Sequence, residues 1–376
     1  MGRAVSVLFY TVLAFITCVM AANVKPAVAE TDAYYDRRDA INRVYIAGIF
    51  FLLFLVSSLR FGIGNDYTQY TLTAHEAYVG GYVVTEAGFN FLVRVIYTLF
   101  HGEYYEIVFA LFAAVTLFLF LRGFYRDSAD FSQSFFLFMT LGFYFQTFNT
   151  MRYYLALSVA FCSMRYVLEK DYIRFCFFIL CAALFHKSVL LVLPVYWIAT
   201  FAWNRWFYVL GIAVSAVCFA GRSLLLKLAL MLYPSYRNTI YLEGGMSFTS
   251  VLRIFAVLVL YLWFIRYMGS GFQEHADYRK IRFYGQLNFL AFLAATFFSF
   301  LPVVTRIVYY LSVSQLLMIP LMIRNIADEG VKMKLKLAVM VVGILYFALF
   351  VLSAHQAGVG LLPYRTWLFE ERYLYK

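Results

Sequence analysis

The chain is 376 residues long, 64% hydrophobic and only 14% charged, with a mean hydropathy of +0.77. Soluble domains are about half apolar and about a quarter charged, so this balance excludes the soluble globular classes and leaves a polytopic membrane protein. The formal charge of +11 comes from basic residues scattered singly through apolar sequence; without a basic, aromatic-interleaved patch it predicts no nucleic-acid partner and is explained by positive-inside topology.

A spanning helix needs about 20 mostly apolar residues, and on that rule the chain carries about twelve candidate spans. In order they are 4–22, 44–59, 104–121, 133–148, 153–168, 172–185, 188–202, 206–221, 250–266, 283–301, 307–323 and 337–355. Ala27-Val-Ala29 resembles a signal-peptide cleavage site, but it lies well beyond the first apolar run and the only basic residue ahead of that run is Arg3. An uncleaved first helix is therefore expected. The segment 87–100 is too short for an ordinary span, carries Arg94 and is amphipathic, which predicts a helix lying in the outer headgroup layer. The expectation is an all-α, polytopic membrane helix bundle forming one transmembrane domain over 1–376. It has a first external loop at 60–103 that holds the interfacial helix, and a second at 222–249.

Orientation follows from the connections. One set holds Lys25, Arg37, Arg38, Arg43, Arg122, Arg126, Arg165, Lys170, Arg174 and Arg205, then the basic groups around 266–282 and 324–336, which together are most of the 31 basic residues. That side is assigned to the cytoplasm, and both termini lie outside. The five cysteines, Cys18, Cys162, Cys176, Cys181 and Cys218, all sit in apolar runs, and no disulfide or metal spacing is present.

Polar residues converge on the outer side. Arg60-Phe-Gly-Ile-Gly-Asn-Asp66-Tyr-Thr-Gln-Tyr70 follows the uncharged run 44–59 without a gap. Its glycines turn the backbone where a membrane helix leaves lipid. Glu86, Arg152, His186, Lys187 and Arg306 map to the same side. Ionisable groups near membrane depth are expensive and mark functional sites. Each also has a plainer reading: Arg60 snorkels to the interface, Asp66 with Tyr67 and Tyr70 makes a turn with interfacial aromatics, Glu86 caps a helix, and His186 is a satisfied core histidine.

HExxH, GxSxG, Walker and zinc-type spacings are all missing, so the chemistry must draw on an activated substrate, and no cofactor is expected. A prenyl-pyrophosphate sugar donor fits. Arginine forks neutralise a pyrophosphate leaving group, and a nearby carboxylate or histidine takes the acceptor proton.

These motifs resemble those of the EpsG-type branch of the Wzy polysaccharide polymerases. The resemblance rests on Arg60-Phe-Gly-x-Gly-x-Asp66-Tyr-x-x-Tyr70 and Glu86-Ala-Gly88-Phe. Further on it rests on Arg152-Tyr-Tyr-Leu-Ala-Leu, Leu184-Phe-His186-Lys-Ser188 with Leu193-Pro194-x-Tyr196, and Arg306-Ile-Val-Tyr-Tyr310. Order and rough spacing agree from about residue 44 to 325. Tyr153 departs from the pattern, because the family often has Gln there.

The resemblance implies a bacterial inner-membrane polymerase joining undecaprenyl-pyrophosphate-linked repeat units on the periplasmic face. Its partners would be lipid-linked glycans, membrane lipid, a chain-length regulator and a flippase. A GT-C-like glycosyltransferase fold is implied by analogy alone. Arg152 and Arg306 would hold pyrophosphate with Arg60 or Lys187 assisting. Asp66, Glu86 or His186 would be the base, with Asp66 preferred, and Tyr67, Tyr70 and Tyr309 would stack on sugars. The chemistry is expected to be metal-independent. An O-antigen ligase and a lipid-linked oligosaccharide flippase are the rivals; an acyltransferase lacks a suitable nucleophile.

Overall fold

The computed structural model describes residues 2–25, 32–232, 245–302, 304–354 and 360–369. Among them every regular element longer than a single bridge is a helix. The chain forms α1 (Arg3–Ala21), α2 (Asp32–Ser58), α3 (Tyr67–Val79), α4 (Ala87–Leu99), α5 (Tyr105–Asp127), α6 (Phe131–Thr140), α7 (Phe143–Gln146), α8 (Met151–Leu168) and α9 (Tyr172–Ala183). It continues through α10 (Val192–Ile198), α11 (Arg205–Ala220), α12 (Arg222–Leu232), α13 (Phe248–Met268), α14 (Tyr278–Phe297), α15 (Val304–Ser312), α16 (Gln315–Asn325) and α17 (Glu329–Ser353).

Six helical stretches are long and apolar enough to cross a bilayer, and seven if α11 and α12, bent by 79° at their junction, count as one span. The expected count of about twelve spans is not reached on that measure. The stretch 133–148 breaks into α6 and the single turn α7 at Leu141 and Gly142. The stretch 188–202 becomes a 3-10 turn followed by the seven-residue α10. Apolar composition signalled lipid or core in both places, but only unbroken length makes a span.

Two expected loops also contain helix. The loop 60–103 holds α3 as well as α4, which occupies the segment expected to be interfacial. The loop 222–249 begins with α12; its residues 233–244 lie outside the described residues, as does Ala27-Val-Ala29.

The chain divides into two compact units. The first comprises Met1–Cys162, Leu180–Lys187 and Ile323–Lys376. In it α1 packs on α2 and α6, α2 on α5, α3 on α4, and α4 on α5. The inward face of α1 recurs at helical spacing through Ser6, Tyr10, Leu13, Ala14, Thr17 and Ala21, while Leu8 and Phe15 stay exposed. An apolar outward face is what a bilayer solvates.

The tail at 360–369 straps across this unit. Tyr10 Oη donates to Leu361 O at 3.0 Å, Tyr364 Oη to Val56 O at 3.0 Å, and the Trp367 indole N–H to Ser58 O at 3.3 Å. The Phe61 N–H donates to Arg365 O, and the Gly64 N–H to Gly360 O, each at 3.0 Å.

The second unit comprises Ser163–Ile179 and Ser188–Met322. There α14 packs on α11, α13 and α15. Its interior is unusually polar. Asn288 Nδ2 donates to Ile254 O at 3.1 Å and Gln315 Nε2 to Asn288 Oδ1 at 2.5 Å, with all side chains buried. With no water in the bilayer core, buried amides must find one another in this way.

Candidate functional site

The glycine-rich turn is built to lie against the start of α8. Gly64 has φ +97°, and a Cβ there would come within 2.2 Å of Phe148 O, so only glycine fits. The next residue fixes the register: the Asn65 N–H donates to Asn149 Oδ1 at 3.1 Å, and Asn149 Nδ2 donates to Gln146 Oε1 at 2.7 Å. Asp66, half-buried, precedes α3 and accepts the Tyr70 N–H on its carbonyl at 2.8 Å. Its side chain makes no capping bond to the helix.

Arg60 lies in an aromatic box. Its guanidinium sits 5.2 Å from the ring centres of both Phe109 and Phe148 and donates through Nη1 to Ser57 O and, at 3.2 Å, to Ser57 Oγ. The residue is only 3% exposed, and its Nε has no hydrogen-bond partner among the described residues. Burial pulls this guanidinium below its ordinary value, and the phenols of Tyr67, Tyr144, Tyr364 and Tyr10 work in the opposite direction. Burial likewise pushes the Tyr67 hydroxyl up. Rings flanking a cation take the place of lost hydration without neutralising it.

A second arginine gathers the rest. Arg152, on the first turn of α8, forms an ion pair through Nη1 with Glu86 Oε2, and each side chain is 16% exposed. Its guanidinium also lies 5.5 Å from the Tyr70 ring and 5.3 Å from the Phe89 ring. The Arg152 Nε is buried without a hydrogen-bond partner among the described residues. Glu86 uses its other oxygen, Oε1, to accept the Lys187 backbone N–H at 3.2 Å. It stands at the N-cap position of α4, as the plainer reading expects, but its side chain makes no capping bond there.

The Glu86-Ala-Gly88-Phe motif now has a physical account. Gly88 donates its N–H to Leu184 O at 2.9 Å, and a Cβ on it would meet that oxygen at 2.7 Å. A larger residue would push α4 off the Leu184 to Lys187 segment. That close approach lets Glu86 reach both Arg152 and the Lys187 backbone, while Phe89, one turn on, floors the guanidinium. His186 is buried, its ring 5.4 Å from Tyr153 in an edge contact. The Lys187 side chain is exposed.

Within the first unit the structure therefore unites Glu86, Arg152, Tyr70 and the His186–Lys187 segment. Tyr67 and Arg60 form a neighbouring layer joined to it through Phe109, whose ring lies 4.9 Å from Tyr67 and 6.4 Å from Tyr70. Arg306 and Tyr309, both half-buried, belong to α15 in the second unit. There the Tyr309 ring lies 5.7 Å from the guanidinium of Arg253. The sequence reading has no place for Arg253 and gives no role to Phe89, although Phe89 closes the Glu86-Ala-Gly88-Phe motif. Arg253 had a signal, a lone cation inside an apolar span; Phe89 was one aromatic among many.

A family model described as the EpsG family matches residues 43–366, a stretch that holds every residue of both arginine clusters. Curated proteins and solved structures gave no match to the chain. The matched stretch covers most of the sequence and is consistent with an EpsG-type polysaccharide polymerase built of membrane helices. The chain belongs to the EpsG family.

Proposed function

We propose that the protein is a glycosyltransferase polymerising undecaprenyl-pyrophosphate-linked oligosaccharide repeat units at the outer face of the cytoplasmic membrane. The observation that carries this reading is Arg152. It is a mostly enclosed guanidinium, oriented by Glu86 and two aromatic rings, with a buried Nε donor that has no partner among the described residues. A preoriented cation with a donor to spare suits a phosphate oxygen, and such stabilisation is worth most where water is excluded.

In this reading Arg152 holds the pyrophosphate of the donor in the first unit; Arg306 and Tyr309 are anion and sugar contacts within the second unit. Lys187 adds charge at the rim. Glu86 is a positioning residue, because its two oxygens are occupied by Arg152 and the Lys187 backbone. Arg60 is also a positioning residue, fixing the turn that carries Asp66. The acceptor hydroxyl oxygen attacks the anomeric carbon, its C–O bond forms, and the bond from that carbon to pyrophosphate breaks. The hydroxyl proton passes to Asp66, with His186 as the alternative base, and the polyprenyl pyrophosphate leaves. Tyr70 and Tyr67 line the approach of the sugar rings. A positioned base contributes about 10²–10⁴ in rate.

The exposed stripe of α4, Phe91, Val95 and Leu99, supports an interfacial setting for that helix, since these residues lie on the side opposite buried Phe89, Val93 and Tyr97. The test is reconstitution. Purified protein given a lipid-pyrophosphate repeat unit is expected to produce a ladder of polymer on a gel. Transfer of the unit to a different acceptor with no ladder would instead indicate a ligase.

A further inference from the structure

In the second unit α11 and α14 run side by side in one direction. Near their starts Gln286 Nε2 donates to Phe201 O at 3.0 Å and Arg282 Nη2 to Thr200 O at 3.3 Å. At their ends the Phe219 ring lies 6.4 Å from Phe297 and 6.3 Å from Phe300. Arg205, Arg279, Lys280 and Arg282 mark the first level as one membrane boundary, so the Phe219–Phe297 level faces the other. Between them Val209, Leu210, Val214 and Val217 of α11 are exposed, as lipid-facing residues are.

At that second boundary the chain turns. After Gly221, α12 leaves α11 at 79°, so a helix that follows the bilayer normal is continued by one close to the membrane plane. The sixteen residues of α11 rise about 24 Å, a little short of a hydrocarbon core of about 30 Å. That length sets α12 at the acyl edge of the headgroup layer.

The residues of α12 suit this plane. Leu224, Leu228 and Met231, at i, i+4 and i+7, form one exposed apolar stripe, while Leu225, Leu226, Ala229 and Leu230 are half-buried. Exposed Lys227 adjoins the stripe, three residues from Leu224 and four from Met231. Arg222 is exposed at the bend itself, its guanidinium 5.2 Å from the Phe219 ring. The helix contains no acid to offset these two cations. Sunk in hydrocarbon, α12 would strand Lys227; raised into water, it would expose the stripe. Only the boundary satisfies both.

We infer that α12 is an in-plane membrane-surface helix that binds anionic phospholipid. Leu224, Leu228 and Met231 enter the acyl layer, and Arg222 and Lys227 take the lipid phosphates. The inference goes beyond the polymerase reading and stands without it.

The test has two arms, both on the full-length protein in nanodiscs of phosphatidylcholine mixed with phosphatidylglycerol. In the first, a nitroxide is placed in turn at positions 224, 228 and 231 of a chain whose five native cysteines are replaced by alanine. The three labels are expected to report one shared depth just below the phosphates. Depth changing steadily by about 1.5 Å per residue would make α12 a continuation of the span and overturn the inference. Labels open to water, or shielded from both water and lipid by a partner protein, would overturn it too. The second arm keeps the native cysteines, so it holds even if the alanine chain does not fold. Lipid retained by wild type and by Arg222→Gln/Lys227→Gln is counted by mass spectrometry. The variant is expected to lose its preference for phosphatidylglycerol by fivefold or more, since each cation near a charged surface is worth about 1 kcal/mol, or about fivefold. An unchanged preference in the variant would overturn the lipid assignment.

Discussion

Glu86 at the head of α4 and Arg152 at the head of α8 form an ion pair across 66 positions of sequence, and the same carboxylate also accepts the Lys187 backbone N–H. One acid thus joins three separate segments of the first unit. Each side chain of the pair is 16% exposed, so this is not a screened surface contact of negligible worth.

Replacing Glu86 by Gln should cost about 2–3 kcal/mol, below the range for a fully buried pair, because the Arg152 charge loses its counter-ion in a mostly enclosed place. Thermal unfolding in detergent reads this cost. The double variant with Arg152→Gln should be less destabilised than the sum of the single variants. Strict additivity would mean that the two groups are not coupled.

Two glycines carry steric predictions of different severity. Gly88→Ala forces a methyl group to 2.7 Å from Leu184 O, and α4 must shift; a cost of about 1–3 kcal/mol is expected, together with shortened or absent polymer. Gly64→Ala meets Phe148 O at 2.2 Å and also places alanine at φ +97°, so it should be the more damaging of the two. Expression as a monodisperse species, followed by a melting curve, ranks them.

The tail at 360–369 is expected to be part of the working structure. Tyr364→Phe removes the hydrogen bond to Val56 O and should cost about 1 kcal/mol. Deleting residues 360–376 removes every bond from the tail to Phe61, Gly64 and Ser58 and so releases the backbone on either side of Arg60. Loss of polymer without loss of membrane insertion is expected; a normal ladder would show that the strap is dispensable.

Metal chelation tests the proposed source of charge neutralisation. If guanidiniums hold the leaving pyrophosphate, a reconstituted reaction should yield the same ladder with an excess of chelator as without it. A ladder abolished by chelator and restored by a divalent cation would reassign that role to a metal.

Much of this was legible in the residues. Composition fixed the class, and the motif run from Arg60 to Tyr310 pointed to the family that the family match establishes. Glu86 and Arg152, isolated polar residues in the sequence, do meet, and the Lys187 backbone N–H joins them, while the Lys187 side chain is exposed and His186 packs on Tyr153. Arg60 turned out to be enclosed by Phe109 and Phe148, because sequence shows that a cation sits at a helix end but not which rings close over it. The breaks inside 133–148 and 188–202 were hidden for a related reason: an apolar run looks the same whether it spans lipid or folds back into the core. Arg253 was passed over because one charge does not spoil an apolar average.

The most direct measurement compares polymer formation by reconstituted wild type and Arg152→Gln at matched amounts of folded protein, using a lipid-pyrophosphate repeat unit as substrate. The expected result is a ladder from the wild type and only single units from the variant, with unchanged insertion and a single elution peak. A full ladder from folded Arg152→Gln would contradict the account, since the guanidinium placed at its centre would then hold nothing the reaction needs.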